Sequence, residues 1–203
     1  MKILIFSLIA IFISPSFVES IIVLCKFGDH ETYGYKCVVK YLNISSKEDQ
    51  TITDVIGDHI NGRNNSDVKY FNANEQIVKY FPLNLSSIFN NLETIFIQNA
   101  NLSEIHSSDL QQFGGSLKLL YLNNNALEVL EADLFQFNKN LEKIYFNGNR
   151  LKFIDDGAFR GLKKLTHLYL SGNQCINRDA DRRSTVIVLI PEAEKKCKDF
   201  AFM

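Results

Sequence analysis

Side chains able to do acid–base, nucleophilic or metal chemistry are few in this chain, and they are scattered. His30, His59, His106 and His167 fall in four separate stretches. No G-x-S-x-G, H-E-x-x-H or phosphate-binding glycine loop accompanies them. An active site needs a nucleophile, a base and an orienting group converging in one pocket, and the spacing offers no such set. Asp155-Asp156 is a carboxylate pair without the spaced third ligand that calcium requires. Arg182-Arg183 reads as exposed cap residues more readily than as a processing site. No catalytic residue, cofactor or metal ligand is assigned, and the chain is read as a non-enzyme. Cys25, Cys37, Cys175 and Cys197 include no C-x-x-C and no Cys/His pair at ligand spacing, which argues against zinc. An even count points to disulfides, with three connectivities open. A different chemistry, done to the chain rather than by it, is implied by the N-x-S sequons at Asn43, Asn64, Asn84 and Asn101. In an Asn-rich chain some of them arise by chance, and two or three are expected to carry N-glycans.

The compartment follows from the N-terminus. Met1-Lys2 precedes an apolar run, Ile3–Ile13, broken only by Ser7, and then Ser14-Pro15-Ser16. This is the pattern of a secretory signal peptide over residues 1–20, with cleavage expected after Ser20. The competing reading is an uncleaved anchor, but the run falls short of the roughly 20 apolar residues that span a bilayer. Removing Lys2 and Glu19 takes one charge of each sign, so the mature chain keeps the net charge of −1. Val186–Ile190 is the next apolar run and is long enough for a buried strand only. The expectation is a secreted, extracellular protein with no membrane span in its mature form.

The elements that must position any site come from the rest of the composition. At 203 residues, 46% hydrophobic and 22% charged, the chain is neither disordered, collagen-like nor a polytopic membrane protein. Its charge lacks the basic excess of a nucleic-acid binder, so no nucleic-acid partner is expected. Of 23 leucines only Leu4, Leu8, Leu24 and Leu42 precede residue 83, and 20 asparagines run beside the others. Such crowding is a reason to look for repeats. Val68, Leu92, Leu117, Leu141 and Leu165 open five units at intervals of 24, 25, 24 and 24 residues. In each unit apolar residues recur three and five positions on, as in Leu117, Leu120 and Leu122. Gln76, Ala100, Asn125, Asn149 and Asn173 then share one register. A later apolar patch is read as Leu110/Phe113, Phe135/Phe137 and Phe159/Leu162.

This pattern resembles the leucine-rich repeat, L-x-x-L-x-L-x-x-N-x-L, in its 24-residue extracellular form, and is similar to the repeats of Toll-type ectodomains. The resemblance covers about Val68–Cys175 and strengthens along the chain. It implies an α/β-type repeat solenoid, a horseshoe segment with a parallel sheet on its concave side. The division expected is an N-terminal cap at 21–67, about five repeats at 68–174 and a C-terminal cap at 175–203. Ile21–Phe27 and Tyr33–Leu42 are read as strands turning through Gly28-Asp29-His30, with Thr51–Ile56 a further strand toward the first repeat. Strands about 4.8 Å apart would separate the ends of five repeats by on the order of 20 Å. Disulfide Cα atoms lie within about 7 Å, which leaves Cys25–Cys37 and Cys175–Cys197 as staples for the two caps. Asn125, Asn149 and Asn173 are read as a ladder satisfying backbone groups at the turns. Gln76 and Ala100 interrupt it, so the early turns are expected to be less regular.

On the strand face turned away from the core stand Asn72, Phe96, Tyr121, Tyr145 and Tyr169. A polar row runs beside them through Asn123 and Asn147, and Lys143 and His167 lie on the other side. Aromatic anchors flanked by hydrogen-bonding groups suit a protein or glycoprotein partner. The same residues would also arise from strand propensity and cross-strand packing alone. What the resemblance implies about function is partner recognition in innate immunity, adhesion or matrix assembly. An inhibitor of an extracellular enzyme and a structural matrix component are the alternatives.

Overall fold

The computed structural model describes residues 21–198. The signal-peptide reading of residues 1–20 lies outside the described residues, as does the end of the C-terminal cap at 199–203. Every repeat contributes a three-residue strand with one central side chain facing inward: β5 (Tyr70–Asn72), β7 (Thr94–Phe96), β8 (Leu119–Tyr121), β10 (Lys143–Tyr145) and β12 (His167–Tyr169). Their inward residues Phe71, Ile95, Leu120, Ile144 and Leu168 are all fully buried. The strands pair parallel and in register, Phe71 with Ile95, Ile95 with Leu120, Leu120 with Ile144 and Ile144 with Leu168. A one-residue slip would turn each apolar side chain to water, so burial fixes the register.

The N-terminal cap extends this sheet with the hairpin β1 (Ile21–His30) and β2 (Gly34–Tyr41), and with β4 (Ile52–Ile56) at its outer edge. The hairpin turns later than its sequence suggests. Gly28-Asp29-His30 is strand, and Glu31-Thr32-Tyr33 makes the turn, because Gly34 supplies the positive φ of +78°. His30 Nδ1 also accepts the backbone N–H groups of Thr32 (3.2 Å) and Tyr33 (3.3 Å). β4 pairs with β1 on the side remote from the repeats, so it closes the end of the sheet instead of leading into the first repeat. Short pairs on the return path of the chain, β3 (Asn43–Ile44) with β6 (Ile77–Val78) and β9 (Val129–Leu130) with β11 (Phe153–Ile154), form two small parallel sheets. Single turns of helix at α1 (Leu85–Ile88) and α2 (Ser107–Gln111) complete two of the units.

At the far end β13 (Asp179–Ala180) pairs antiparallel with β12, and α3 (Arg183–Lys196) packs over the last repeat. Val186–Ile190, read as a strand, is helical. Val186, Leu189 and Ala193 recur with a helical period and are buried, while Ile187 and Val188 stay exposed. Disulfides Cys25–Cys37 and Cys175–Cys197, with Cα separations of 5.2 and 5.1 Å, staple the two caps. The outer part of the core also differs in one unit. Phe137 is exposed, and the site facing the core belongs to fully buried Asn138, whose Nδ2 donates to the carbonyls of Leu110 and Gly114 at 3.0 Å. Asn138 stands 21 residues after Leu117, the same register as Phe113 after Leu92 and Leu162 after Leu141, so the inward position is 138 and not 137.

The turn asparagines tie each repeat to the one before. Asn125 Oδ1 accepts from Ala100 and Leu102 N–H at 3.0 Å, and its Nδ2 donates to the carbonyls of Ile97 and Leu122. Asn149 links Leu127 N–H with the carbonyls of Leu122 and Phe146, and Asn173 links Leu151 N–H with those of Phe146 and Leu170. Gln76 reaches from the first repeat into the cap, accepting Leu42 N–H at 2.8 Å. The early turns share the backbone of the later ones. Glu75, Asn99, Asn124, Gly148 and Gly172, each one place before the ladder position, all have φ between +52° and +68°. Glycine and asparagine adopt that conformation readily, whereas Glu75 holds it at a cost.

A charged seam runs along the return flank. Lys47 in the cap pairs with Glu104, and His106 sits between Glu104 (3.6 Å) and Glu131 (3.1 Å). Burial works to lower the His106 pKa, but the hydrogen bond with Glu131 and the charges of Glu131, Asp109 and Glu104 raise it overall. A raised folded-state pKa stabilises fully below about pH 6.5, the unfolded value, and the gain is lost as pH rises through the folded pKa. His106→Asn should therefore lower the urea midpoint more at about pH 5.5 than at about pH 9; an equal loss at both would contradict the seam. Asn149→Asp removes the two amide donors and sets a carboxylate against the carbonyls of Leu122 and Phe146. It should cost about 3 kcal/mol in urea unfolding, and a loss below about 1 kcal/mol would deny the ladder its role.

Candidate functional site

The concave face is built by the residues that alternate with the core along each strand. Phe96, Tyr121, Tyr145 and Tyr169 stand in register on β7, β8, β10 and β12. Their rings form a continuous stack with centroids 3.9, 4.1 and 4.5 Å apart and planes within 8–13° of parallel. Each inner ring is therefore covered on both faces by its neighbours and offers only an edge and a hydroxyl to the concave side. Beside the stack, Asn123, Asn147, Gln98 and Ser171 line a shallow hollow of about 360 Å³ with Tyr145 and Tyr169. Lys143 and His167 pair across adjacent strands on the other side. Burial, then the charge of Lys143, lowers the His167 pKa, so its ring is neutral at neutral pH.

The four aromatics are not equally open. The tip of the β1–β2 hairpin folds onto the N-terminal half of the face, across a sequence separation of 88 residues. Tyr33 Oη lies 3.1 Å from Tyr121 Oη, and the Tyr33 ring packs against Phe96 (5.4 Å) and edge-on to Tyr70 (5.3 Å). His30 stacks on Tyr33 at 4.6 Å. Tyr121 is left 9% exposed, which makes it the floor of the face and not an open anchor. Burial, reinforced by the hydrogen bonds with Tyr33 and Tyr145, raises its pKa far above the ordinary phenol range. Burial likewise pushes Tyr70 up to about 12. These phenols stay neutral hydrogen-bonding groups at any physiological pH. Tyr145 and Tyr169, half-buried, form the accessible end of the stack. Tyr33 and His30 carry no local sequence signal for this role; a Tyr near a hairpin turn reads as an ordinary strand residue.

A second hollow of about 400 Å³ lies between the hairpin tip and the adjoining flank, lined by Glu31, Thr32, Lys69, Glu93 and Lys118. Glu93 bridges Lys69 at 3.1 Å and Lys118 at 2.6 Å, so the charges there largely cancel. A larger hollow of about 630 Å³, near Val129, Phe153 and Cys197, lies on the return flank, away from the stack. Among the described residues no cluster of His, Cys, Asp or Glu could hold a metal ion, and no helix is long and apolar enough to cross a membrane.

Residues 115–174 match the family model described as leucine rich repeat. No curated protein sequence matches the chain. Among solved structures, the fold is similar to that in the crystal structure of a TLR13–ssRNA13 complex, with TM-score 0.50 and 19% identity over 63% of this chain and 19% of that one. The structure of the Drosophila Toll–Spatzle complex aligns with TM-score 0.43 and 23% identity over 68% of this chain and 16% of that one. The chain thus spans less than a fifth of either structure's matched chain. It has the leucine-rich repeat fold, and residues 115–174 carry that family's sequence pattern.

The contrast between floor and anchor residues is measurable in urea. Tyr121→Ala should lose about 3 kcal/mol of stability and Tyr169→Ala less than about 1 kcal/mol. A double-mutant cycle of Tyr33→Phe with Tyr121→Phe should give a coupling of about 1 kcal/mol. Strict additivity would mean that the hairpin tip does not hold the face.

Proposed function

We propose that the protein is a secreted, non-enzymatic module that grips an extracellular protein or glycoprotein on the C-terminal half of its concave face. The observation that carries this reading is the orientation of the stack. The inner rings, Tyr121 and Tyr145, are covered on both faces and cannot intercalate a base or lie flat against a sugar. They can present a row of edges and hydroxyls at the strand spacing of about 4.8 Å. Tyr145 and Tyr169 supply rigid apolar edges, Asn123 and Asn147 supply amide donors and acceptors beside them, and Lys143 and neutral His167 form the rim. Tyr121 and Phe96 continue the row under the hairpin tip, where Tyr33 packs on them.

Two further features favour a protein partner over a nucleic acid. The net charge is −1, which gives little of the counterion-release drive that nucleic-acid binding depends on. The paired charges around Glu93 leave that flank without a dominant sign, so complementarity of shape would decide binding. The extracellular setting is supported by the two disulfides, which persist in oxidising compartments. Sharing a fold with receptor ectodomains supports a role in recognition or adhesion.

The test is capture from extracellular fluid by immobilised protein, comparing wild type with a folded Tyr145→Ala/Tyr169→Ala variant. Loss of two hot-spot anchors should weaken a specific partner by at least about thirtyfold, or roughly 2 kcal/mol. Retention of every wild-type partner by the variant would contradict the reading.

A further inference from the structure

The four sequons are not equivalent once the chain is folded, and what separates them is the use of the amide nitrogen. Asn43 is exposed on β3, and only its Oδ1 is engaged, accepting the hydroxyl of Ser45. Asn64 is exposed and uses Oδ1 alone, accepting Ser66 N–H at 2.8 Å and the Ser66 hydroxyl at 2.5 Å. Asn101 is exposed at a turn with φ of +61°. Asn84 is different. It is half-buried with φ of +67°, and its Nδ2 donates at 2.9 Å to the carbonyl of fully buried Ile52 at the start of β4. Ile52 N–H in turn bonds to the Leu83 carbonyl, and Leu83 N–H to that of Gln50. Asn84 therefore stitches the cap edge to the back of the first repeat.

From this we infer that Asn43, Asn64 and Asn101 carry N-glycans and that Asn84 does not. The inference rests on the extracellular reading, since it needs a lipid-linked oligosaccharide pyrophosphate as donor. In that transfer a bond forms between Asn Nδ2 and the first sugar carbon, and the bond from that carbon to the pyrophosphate oxygen breaks. The amide loses one proton, and the lipid pyrophosphate leaves. At Asn43, Asn64 and Asn101 the product keeps every hydrogen bond of the fold, because the oxygen is untouched. At Asn84 the sugar grows from an atom packed against the seam between β4 and α1, and accommodating it displaces that seam.

Placement gives the modification a consequence. Strand β6 lies between β3 and the segment Ala100–Ser103, with Val78 N–H bonded to the Ala100 carbonyl and Ser103 N–H to that of Lys79. Asn43 and Asn101 thus flank β6, whose Ile77 is 52% exposed. Two glycans there cover exposed Ile77 on the return flank and leave the aromatic concave face open.

The experiment expresses the full chain in a secreting eukaryotic host, treats it with peptide N-glycosidase and maps Asn-to-Asp conversion by mass spectrometry. Conversion is expected at Asn43, Asn64 and Asn101 and not at Asn84. Ser45→Ala, Ser66→Ala and Ser103→Ala should each remove one glycan mass. Ser86→Ala, which abolishes the Asn84 sequon and leaves the Ile52 bond in place, should leave mass and yield unchanged. Occupancy of Asn84 in folded, secreted protein, or a bare Asn43, Asn64 or Asn101, would overturn the choice of sites. Absence of glycan at all four positions would overturn the extracellular reading with it.

Discussion

No repeat in this protein can satisfy itself. A three-residue strand leaves its backbone N–H and C=O groups pointing sideways, and the only partners in reach belong to the units before and after. Everything else follows from that constraint. Strands must stack in register, so side chains at equivalent positions become columns: leucine and isoleucine inside, asparagine at the turns, aromatics outside. The asparagine column adds to the backbone ladder because each amide spans two units. The caps exist because the columns must end. A hairpin with a disulfide closes one end, and an antiparallel strand with a helix and a second disulfide closes the other.

The candidate site is a by-product of the same columnar order. Parallel, in-register strands bring Phe96, Tyr121, Tyr145 and Tyr169 face to face at 3.9–4.5 Å. The stack is as rigid as the sheet beneath it, and ordering it for a partner costs little side-chain entropy. The hairpin tip then sets how much of the column is available. Tyr33 occupies the N-terminal half and ties off the Tyr121 hydroxyl, which leaves the C-terminal end, where Asn147, Ser171 and Tyr169 line the hollow, as the surface proposed for a partner.

The features legible in the sequence are those with a period. Leu92, Leu117, Leu141 and Leu165 announce the units, and Tyr121, Tyr145 and Tyr169 announce the outer column, because a 24-residue recurrence converts directly into adjacency. What was not legible depends on single events. The contact of Tyr33 with Tyr121 spans 88 residues and recurs nowhere. Asn138 holds the inward register of Phe113 and Leu162, but a polar residue there hides the position from an apolar pattern, and the neighbouring Phe137 takes its place in the reading. Val186–Ile190 is apolar throughout, and a five-residue apolar run does not distinguish strand from helix; the packing of Val186, Leu189 and Ala193 on the last repeat decides it. The turns at Glu75 and Asn99 keep the positive φ of later turns, since the stack imposes that backbone whatever residue stands there.

The hairpin tip closes the concave face over Tyr121 and leaves it open at Tyr145 and Tyr169. Tyrosine nitration followed residue by residue with peptide mass spectrometry reads this directly, with Tyr41, 69% exposed, as the internal reference. In wild type, Tyr145 and Tyr169 should react more slowly than Tyr41 but measurably, while Tyr121 stays unmodified. In Tyr33→Ala, Tyr121 should become reactive. Nitration of Tyr121 in wild type at the rate of Tyr169 would contradict the account.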